Sequence, residues 1–177
     1  MSTDPLFDLK FPIGKFNAPD EITSKHIEEW IAQIESLPIR LSKLVANVTD
    51  VQLDTPYRPD GWTIRQVIHH IPDSHINSYM RFKWALTEDN PTIKAYKETA
   101  WAELPDTKNH PIQISLDLLT VVHAKLVILF SSMSPEQMKR TFIHPASGKE
   151  VSLERNIGSY AWHGNHHLAH VGLVVNQ

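Results

Sequence analysis

Histidine is concentrated in two stretches of this 177-residue sequence, which contains 11 histidines. Imidazole titrates near neutral pH and is the commonest metal ligand among protein side chains, so such clusters indicate a metal site. A C-terminal group of four lies within eight residues, and a central group of three precedes it in the chain. The two groups are His163, His166, His167 and His170, and His69, His70 and His75.

The C-terminal group has the spacing of a metal-binding helix. His163 and His167 are one helical turn apart, about 40° from each other around the axis, so both imidazoles can bind one ion. His166 and His170 repeat this spacing, and all four lie within an arc of about 100°. Spacing alone therefore leaves two candidate pairs. Because Gly164 stands where a zincin helix has its glutamate base, the pattern excludes a zincin-type peptidase.

A catalytic zinc-type site needs a third protein ligand, which a second helix can supply. On that helix His70 is followed at positions i+4, i+7 and i+11 by Ser74, Asn77 and Arg81, which form a polar stripe. The stripe predicts a wet or functional cavity beside the histidine. It is equally typical of the solvent-facing side of an ordinary helix, and the two interpretations stay open here.

Hydrophobic periodicity and capping signals predict four long helices, over about 23–48, 63–88 and 111–133 and from about 152 almost to the end of the chain. We therefore expect an all-α four-helix bundle that forms a single domain over residues 1–177. Pro38 predicts a bend or break in the first helix, and Pro72 predicts a kink in the second with a free carbonyl at Ile68.

The connections differ in length and character. Residues 89–111 form a long second connection, which lets the second and third helices run parallel and either crosses the fold or covers a site. Short segments on either side of Ala146–Gly148 predict a minor β ribbon before the last helix. Residues 1–20 lack periodicity and should lie over the surface of the fold.

Composition excludes several classes of protein. With no cysteine, the chain has no disulfide, thiolate nucleophile or iron–sulfur cluster. A net charge of −3 without a basic run argues against nucleic-acid binding. The start lacks a signal-peptide pattern, and the longest uninterrupted apolar run, residues 126–130, is too short to span a membrane. We therefore expect a soluble, cytoplasmic protein.

Four sequence motifs, in order, resemble those of the DinB/YfiT-like superfamily. They are residues 11–14 (FPIG), 53–58 (LDTPYR), 61–70 (GWTIRQVIHH, followed by Asp73-Ser74-His75) and 160–170 (YAWHGNHHLAH). The resemblance covers nearly the whole chain and is greatest to the YfiT group of metal-dependent hydrolases.

The resemblance implies a four-helix bundle that holds one divalent ion, zinc or nickel, through three histidines. The family's ligands correspond to His70, His163 and His167, which leaves His166 and His170 as neighbours of the site. It also implies a homodimer in the cytoplasm.

An open three-histidine site predicts a metal-dependent hydrolase that acts on a small molecule. A first alternative, also implied by the resemblance, is a thiol S-transferase of the bacillithiol-dependent type. A second alternative is a metal-binding bundle without turnover. The sequence identifies no general base, although Asp73 and Tyr160 lie near the ligands in sequence.

Overall fold

Nine helices and a two-stranded ribbon make up the computed structural model, which describes residues 5–176. In chain order they are α1 (Phe7–Lys10), α2 (Ser24–Leu44), α3 (Asp50–Leu53), α4 (Ile64–Thr87), α5 (Glu98–Trp101), α6 (Pro105–Lys108), α7 (Gln113–Ser131), α8 (Pro135–Met138), β1 (Thr141–His144), β2 (Lys149–Ser152) and α9 (Leu153–Val175). Helices α2, α4, α7 and α9 pack together as the four-helix bundle. The predicted fold class is confirmed.

Side-chain caps fix where the site-bearing helices begin. Thr63 accepts a hydrogen bond from the backbone N–H of Gln66, and the Gln66 side chain accepts one from the backbone N–H of Thr63. This capping box satisfies two donors that the first turn of α4 would otherwise leave unpaired. Ser152 caps α9 in the same position. These caps set the register of the histidines that follow.

Both internal prolines lie in uninterrupted helices. α2 continues through Pro38, and α4 continues through Pro72, so the break predicted at Pro38 is wrong. Both rings are buried, and tertiary packing of the apolar faces holds each helix together across the missing hydrogen bond. The proline at position 38 nevertheless has a local consequence, because it leaves the carbonyl of Ile34 without its usual helical donor.

Helices α4 and α7 run parallel. His69 contacts Ser115 near their beginnings, and Phe82 contacts Phe130 near their ends. The chain reaches this arrangement through residues 88–112, which cross the fold, as the length of that connection predicts. Residue 92 of this connection bridges Ile143 of β1 and so holds it against the ribbon.

Helices α4 and α9 run antiparallel. His70 lies beside His163, whereas Arg81, three turns later on α4, lies beside Tyr160, which precedes His163 on α9. The ribbon before α9 pairs β1 with β2 in antiparallel register and confirms the predicted strands. This geometry brings the central and C-terminal histidine groups to one level of the bundle.

α7 is the most apolar of the long helices. Its length and composition would allow it to cross a membrane, a property that it shares with the core helices of soluble bundles. Leu119, Leu126 and Phe130 on one face of α7 are buried against the other bundle helices. Ile114, Val121 and Ile128 remain exposed on the opposite face.

Candidate metal centre

Three histidines from α4 and α9 converge between the two helices. His70, His163 and His167 each place one ring nitrogen within 4.8 Å of the others'. The Nε2 atoms of His70 and His163 are 3.2 Å apart, and the ring centroids of His163 and His167 are 4.5 Å apart. The structure therefore brings together the three residues that the resemblance implies as ligands.

The donor set fits a divalent transition metal. Zinc–nitrogen bonds of about 2.05 Å at a tetrahedral angle place two ligand nitrogens about 3.3 Å apart, close to the His70–His163 separation. Nickel also accepts imidazole nitrogen. Three imidazoles without a carboxylate or thiolate are the ligand set of an open zinc-type centre, in which further coordination positions stay free.

A relay of histidines fixes the tautomer of His163. The carbonyl of Ile34 can only accept, so His123 donates to it through Nδ1. The Nε2 of neutral His123 then accepts from Nδ1 of His75 at 2.8 Å, and Nε2 of His75 accepts from Nδ1 of His163 at 3.2 Å. Nε2 of His163 is thereby left with its lone pair toward His70 and His167.

Pro38 makes this relay possible. The carbonyl of Ile34 would normally accept from the N–H four residues later, but residue 38 is a proline and has no N–H. His123 of α7 replaces that donor. Hydrogen bonds from the second ring nitrogen of a ligating histidine orient the ring and raise its basicity, so the relay prepares His163 for a metal.

His167 is oriented by a second, independent relay. Nε2 of His170 donates to the carbonyl of Leu9 at 3.1 Å, which leaves Nδ1 of His170 as an acceptor. Nδ1 of His167 lies 3.3 Å from it and donates. The lone pair of His167 is therefore on Nε2, as in His163, and the ring of His170 stacks on Tyr57 with centroids 4.0 Å apart.

Burial keeps the three converging histidines neutral. Loss of solvent lowers the pKa of His70 to about 4 and lowers the pKa values of His163 and His167 well below their usual range, with further lowering of the latter two by neighbouring histidines. A metal needs the neutral imidazole, so these three side chains are in the correct protonation state at pH 7.

A second group, His166, His167 and His170, also has ring nitrogens within 4.8 Å of one another. Its nitrogens are largely occupied, because His167 and His170 bond to each other and His170 bonds to Leu9. His166 stacks on Trp162, and its Nδ1 is buried without a hydrogen-bond partner in the described part of the chain. The rings of His166 and His170 therefore pack around the first group and are not assigned as a second metal site.

An aromatic ring covers one side of the centre, and a cleft lies on another. Trp62 covers His70 and His167, with ring centroids 4.7 and 6.4 Å away, and both of these imidazoles are buried. His163 is half-buried, and it lines a cleft of about 640 Å³ between α4, the 88–112 connection, the ribbon and α9. A small molecule that enters this cleft therefore approaches the centre from the side of His163.

The same residues can be placed among known proteins. The sequence model of the DinB superfamily matches residues 33–171. The chain belongs to the DinB superfamily. In this DinB-superfamily protein the matched segment contains both histidine groups and therefore the whole candidate centre.

Curated relatives are similar along almost their entire length. A protein of Bacillus mycoides named "Putative metal-dependent hydrolase" is 52% identical over 164 residues, which cover 93% of this chain and 94% of that protein. A Bacillus anthracis protein of the same name is 53% identical over the same shares of both chains.

Two solved structures are also similar. YfiT from Bacillus subtilis, described as a probable metal-dependent hydrolase with an unusual four-helix bundle topology, has a TM-score of 0.93 and 43% identity, covering 96% of this chain and 97% of that one. A mycothiol-dependent maleylpyruvate isomerase has a TM-score of 0.66 and 16% identity over 85% of this chain and 64% of that one, which shows a shared fold.

The structure separates the two residues that sequence position made candidate bases. Tyr160 lines the cleft beside His163. Asp73 lies on another side of α4, in a small pocket with Asp106 and His110, and burial together with the charge of Asp106 raises its pKa to about 6. Asp73 therefore faces away from the cleft into which His163 opens.

The polar stripe on α4 belongs to the cleft in two of its three positions. Ser74 and Arg81 are buried and line the cleft, whereas Asn77 bonds back to the carbonyl of Asp73 on its own helix. The cavity interpretation of the stripe is therefore correct for Ser74 and Arg81.

Other residues of the site gave little sequence signal. His144 lines the cleft, and His123 anchors a relay, yet each stands alone in the sequence. His75 belongs to the central histidine group, but its role depends on His123, which lies 48 residues away along the chain. The placement of Pro38 four residues after Ile34 was the one available signal, because it predicts a free carbonyl.

Proposed function

We propose that this DinB-superfamily protein is a metal-dependent hydrolase that holds one divalent ion, zinc or nickel, through His70, His163 and His167. The observation that carries the proposal is the convergence of three neutral imidazoles with their nitrogens within 4.8 Å, one of which, His163, also lines a cleft. The names of the curated relatives and the description of YfiT support the same activity.

The proposed chemistry needs an ion that keeps a coordination position free for water or substrate, as three protein ligands allow. Such an ion, when bound, lowers the pKa of water to about 7 and polarises a substrate carbonyl. His75 and His170 hold the rings of His163 and His167 in the required tautomer. Trp62 covers His70 and His167, and His163 lines the cleft through which a substrate would reach the ion.

Thiol transfer is the competing reaction for the same centre. A metal that lowers the pKa of a bound thiol produces a thiolate that attacks an electrophile. The chain has no cysteine of its own, so an external thiol would meet no internal competitor, and a cleft of about 640 Å³ has room for both reactants. The two reactions differ in their nucleophile, which makes them separable by assay.

The test supplies the zinc-loaded or nickel-loaded protein with a nitrophenyl ester, and separately with a nitroaryl chloride plus cysteamine. Hydrolysis predicts ester turnover without thiol, with a rate that rises through about pH 7 as water is ionised. Thiol transfer predicts that the nitroaryl chloride reacts only when cysteamine is present, with a rate that saturates as the cysteamine concentration rises. His163→Ala should abolish either activity, and Asp73→Asn should preserve it. Absence of metal-dependent turnover with both nucleophiles would contradict the proposal.

We also propose that the protein is a cytoplasmic homodimer. The apolar face of α7 exposes Val121 and Ile128, and Ile128 lines a groove with the exposed Ile39 of α2, so this face offers a surface that a second copy could cover. Analytical ultracentrifugation should give the mass of a dimer for the natural chain and a monomer for Ile128→Glu. A natural chain that sediments as a monomer would refute the dimer.

A further inference from the structure

Two arginines of α4 are buried, and they differ in their partners. Arg65 is 8% exposed and forms ion pairs with Asp50 at 2.9 Å and with Asp54 at 2.8 Å. Arg81 is 9% exposed and has no ion pair with any carboxylate among residues 5–176. A buried guanidinium cannot lose its charge at neutral pH, so leaving it unpaired is unfavourable for folding.

The guanidinium of Arg81 has one edge free. Nη1 donates to Oη of Tyr160 at 3.1 Å, whereas Nε is buried without an acceptor in the described part of the chain. Nε and Nη2 together form the edge that binds two oxygens of one carboxylate or phosphate through parallel hydrogen bonds. Such an unsatisfied buried donor is rare in folded proteins and indicates a missing partner.

Arg81 lines the cleft beside the candidate metal centre. Arg81, Tyr160 and His163 line the same cleft, and the rings of Tyr160 and His163 have centroids 5.6 Å apart. Nη1 of Arg81 is 3.1 Å from Oη of Tyr160, so the guanidinium lies beside the ring that packs against His163. An oxyanion on Arg81 would therefore lie near the metal ligands.

The charges that line the cleft favour an anion. Lys97 and Arg155 join Arg81, and Glu98 is the one carboxylate among the lining residues that the structure describes. Glu98 is exposed and forms no ion pair with Arg81. Three positive side chains against one negative give the cleft a local excess of positive charge in a chain of net charge −3.

We propose that Arg81 binds an anionic oxygen group of the substrate, a carboxylate or a phosphate ester, and so holds the bond to be cleaved beside the metal centre. This inference rests on the proposed function, because it specifies the substrate class of the same cleft. The aromatic rings of Phe142 and Trp162, which also line the cleft, provide an apolar surface for the rest of the molecule.

The binding test uses three probes with one phenyl ring each: benzoate, its neutral isostere benzamide, and phenyl phosphate. Calorimetric titration is done on the full chain with zinc bound and again after chelation, because zinc itself can bind an anion. The expected result is that benzoate or phenyl phosphate binds at least tenfold more tightly than benzamide in both forms, since charge-assisted hydrogen bonds carry this difference. The preferred anion distinguishes a carboxylate from a phosphate substrate.

Variants then assign the effect to Arg81. Arg81→Gln should weaken binding of the anion at least tenfold and leave benzamide unchanged, and Arg81→Lys should restore part of the loss because it keeps the charge without the fork. Arg155→Gln, which removes an exposed charge at the rim, is the matched control and should have a smaller effect. The inference would be overturned if benzoate, phenyl phosphate and benzamide bound with equal affinity. It would also be overturned if Arg81→Gln bound the anion as tightly as the natural chain does.

The unfolding temperature provides a second test, which distinguishes a binding arginine from a purely structural one. Arg81→Gln should unfold at the same temperature as the natural chain or at a higher one, because it removes an unpaired buried charge. Arg65→Gln should unfold at a lower temperature, because it breaks two ion pairs. Equal destabilisation by both variants would assign Arg81 a structural role. Neither readout needs turnover, so a failed hydrolysis assay and a failed anion test are distinguishable.

Discussion

Acid should destabilise the metal-free protein strongly, because its buried histidines are neutral in the fold. Burial lowers the pKa of His123 to about 4, although its hydrogen bond to Ile34 acts in the opposite direction. In the unfolded chain the same imidazole has a pKa of about 6.5. The unfolded state therefore binds more protons than the native state between these values, and the free energy of unfolding falls as the pH falls.

The size of the effect follows from the two pKa values. At pH 5 an unfolded imidazole is about 97% protonated, whereas one with a pKa of 4 is about 9% protonated. Integration from pH 7 to pH 5 gives a loss of about 2 kcal/mol for His123 alone. His70, whose pKa burial also lowers to about 4, contributes a similar amount. The sum of about 4 kcal/mol is a large part of the 5–15 kcal/mol typical of a domain.

Urea unfolding followed by circular dichroism, in the presence of a chelator, measures this loss at pH 7, 6 and 5. The free energy of unfolding should decrease steadily over this range. His123→Leu provides the control, because it removes one titrating group and should reduce the change between pH 7 and pH 5 by about 2 kcal/mol. A free energy of unfolding that is constant or rises toward pH 5 would refute the account of neutral, buried imidazoles.

Three further predictions concern packing, the relay and the excluded base. Gly164→Ala should destabilise the protein by about 1–3 kcal/mol in thermal or urea unfolding, because its Cβ would lie 2.4 Å from Cδ2 of the buried Leu37. Gly172→Ala, whose Cβ meets only the end of a side chain, is the control and should be tolerated. His123→Leu should weaken zinc binding in a competition titration by less than the roughly 10–100-fold typical of a direct partner of a ligand, because it acts on His163 through His75, and an unchanged affinity would show that the relay does not support metal binding. Asp73→Asn should leave zinc affinity and turnover unchanged, because its side chain lies in a different pocket, and a large loss of either would show that it reaches the centre.

Local sequence signals predicted the elements of the fold well. The capping residue Thr63 and the spacing of His163 and His167 depend on neighbours within one helical turn, so the sequence displays them directly. The spacing left two histidine pairs open, and the resemblance chose between them. The length of the connection after α4 also predicted that the next helix would run parallel to it.

The parts that the sequence did not predict depend on contacts between distant residues. His123 binds the carbonyl of Ile34, 89 residues earlier, and no local pattern marks that pairing. The sequence predicts a bend or break at Pro38, whereas its effect in the fold is to free that carbonyl for the relay. The difference between Arg65 and Arg81 is likewise invisible in the sequence, because it depends on which carboxylates the fold brings near each guanidinium.

The metal content of three purified proteins tests the central claim most directly. After loading with zinc and dialysis, elemental analysis should find one ion per chain in the natural protein and in His166→Ala, and almost none in His163→Ala, because two imidazoles hold a divalent ion weakly. An ion retained by His163→Ala, or lost from His166→Ala, would contradict a centre built on His70, His163 and His167.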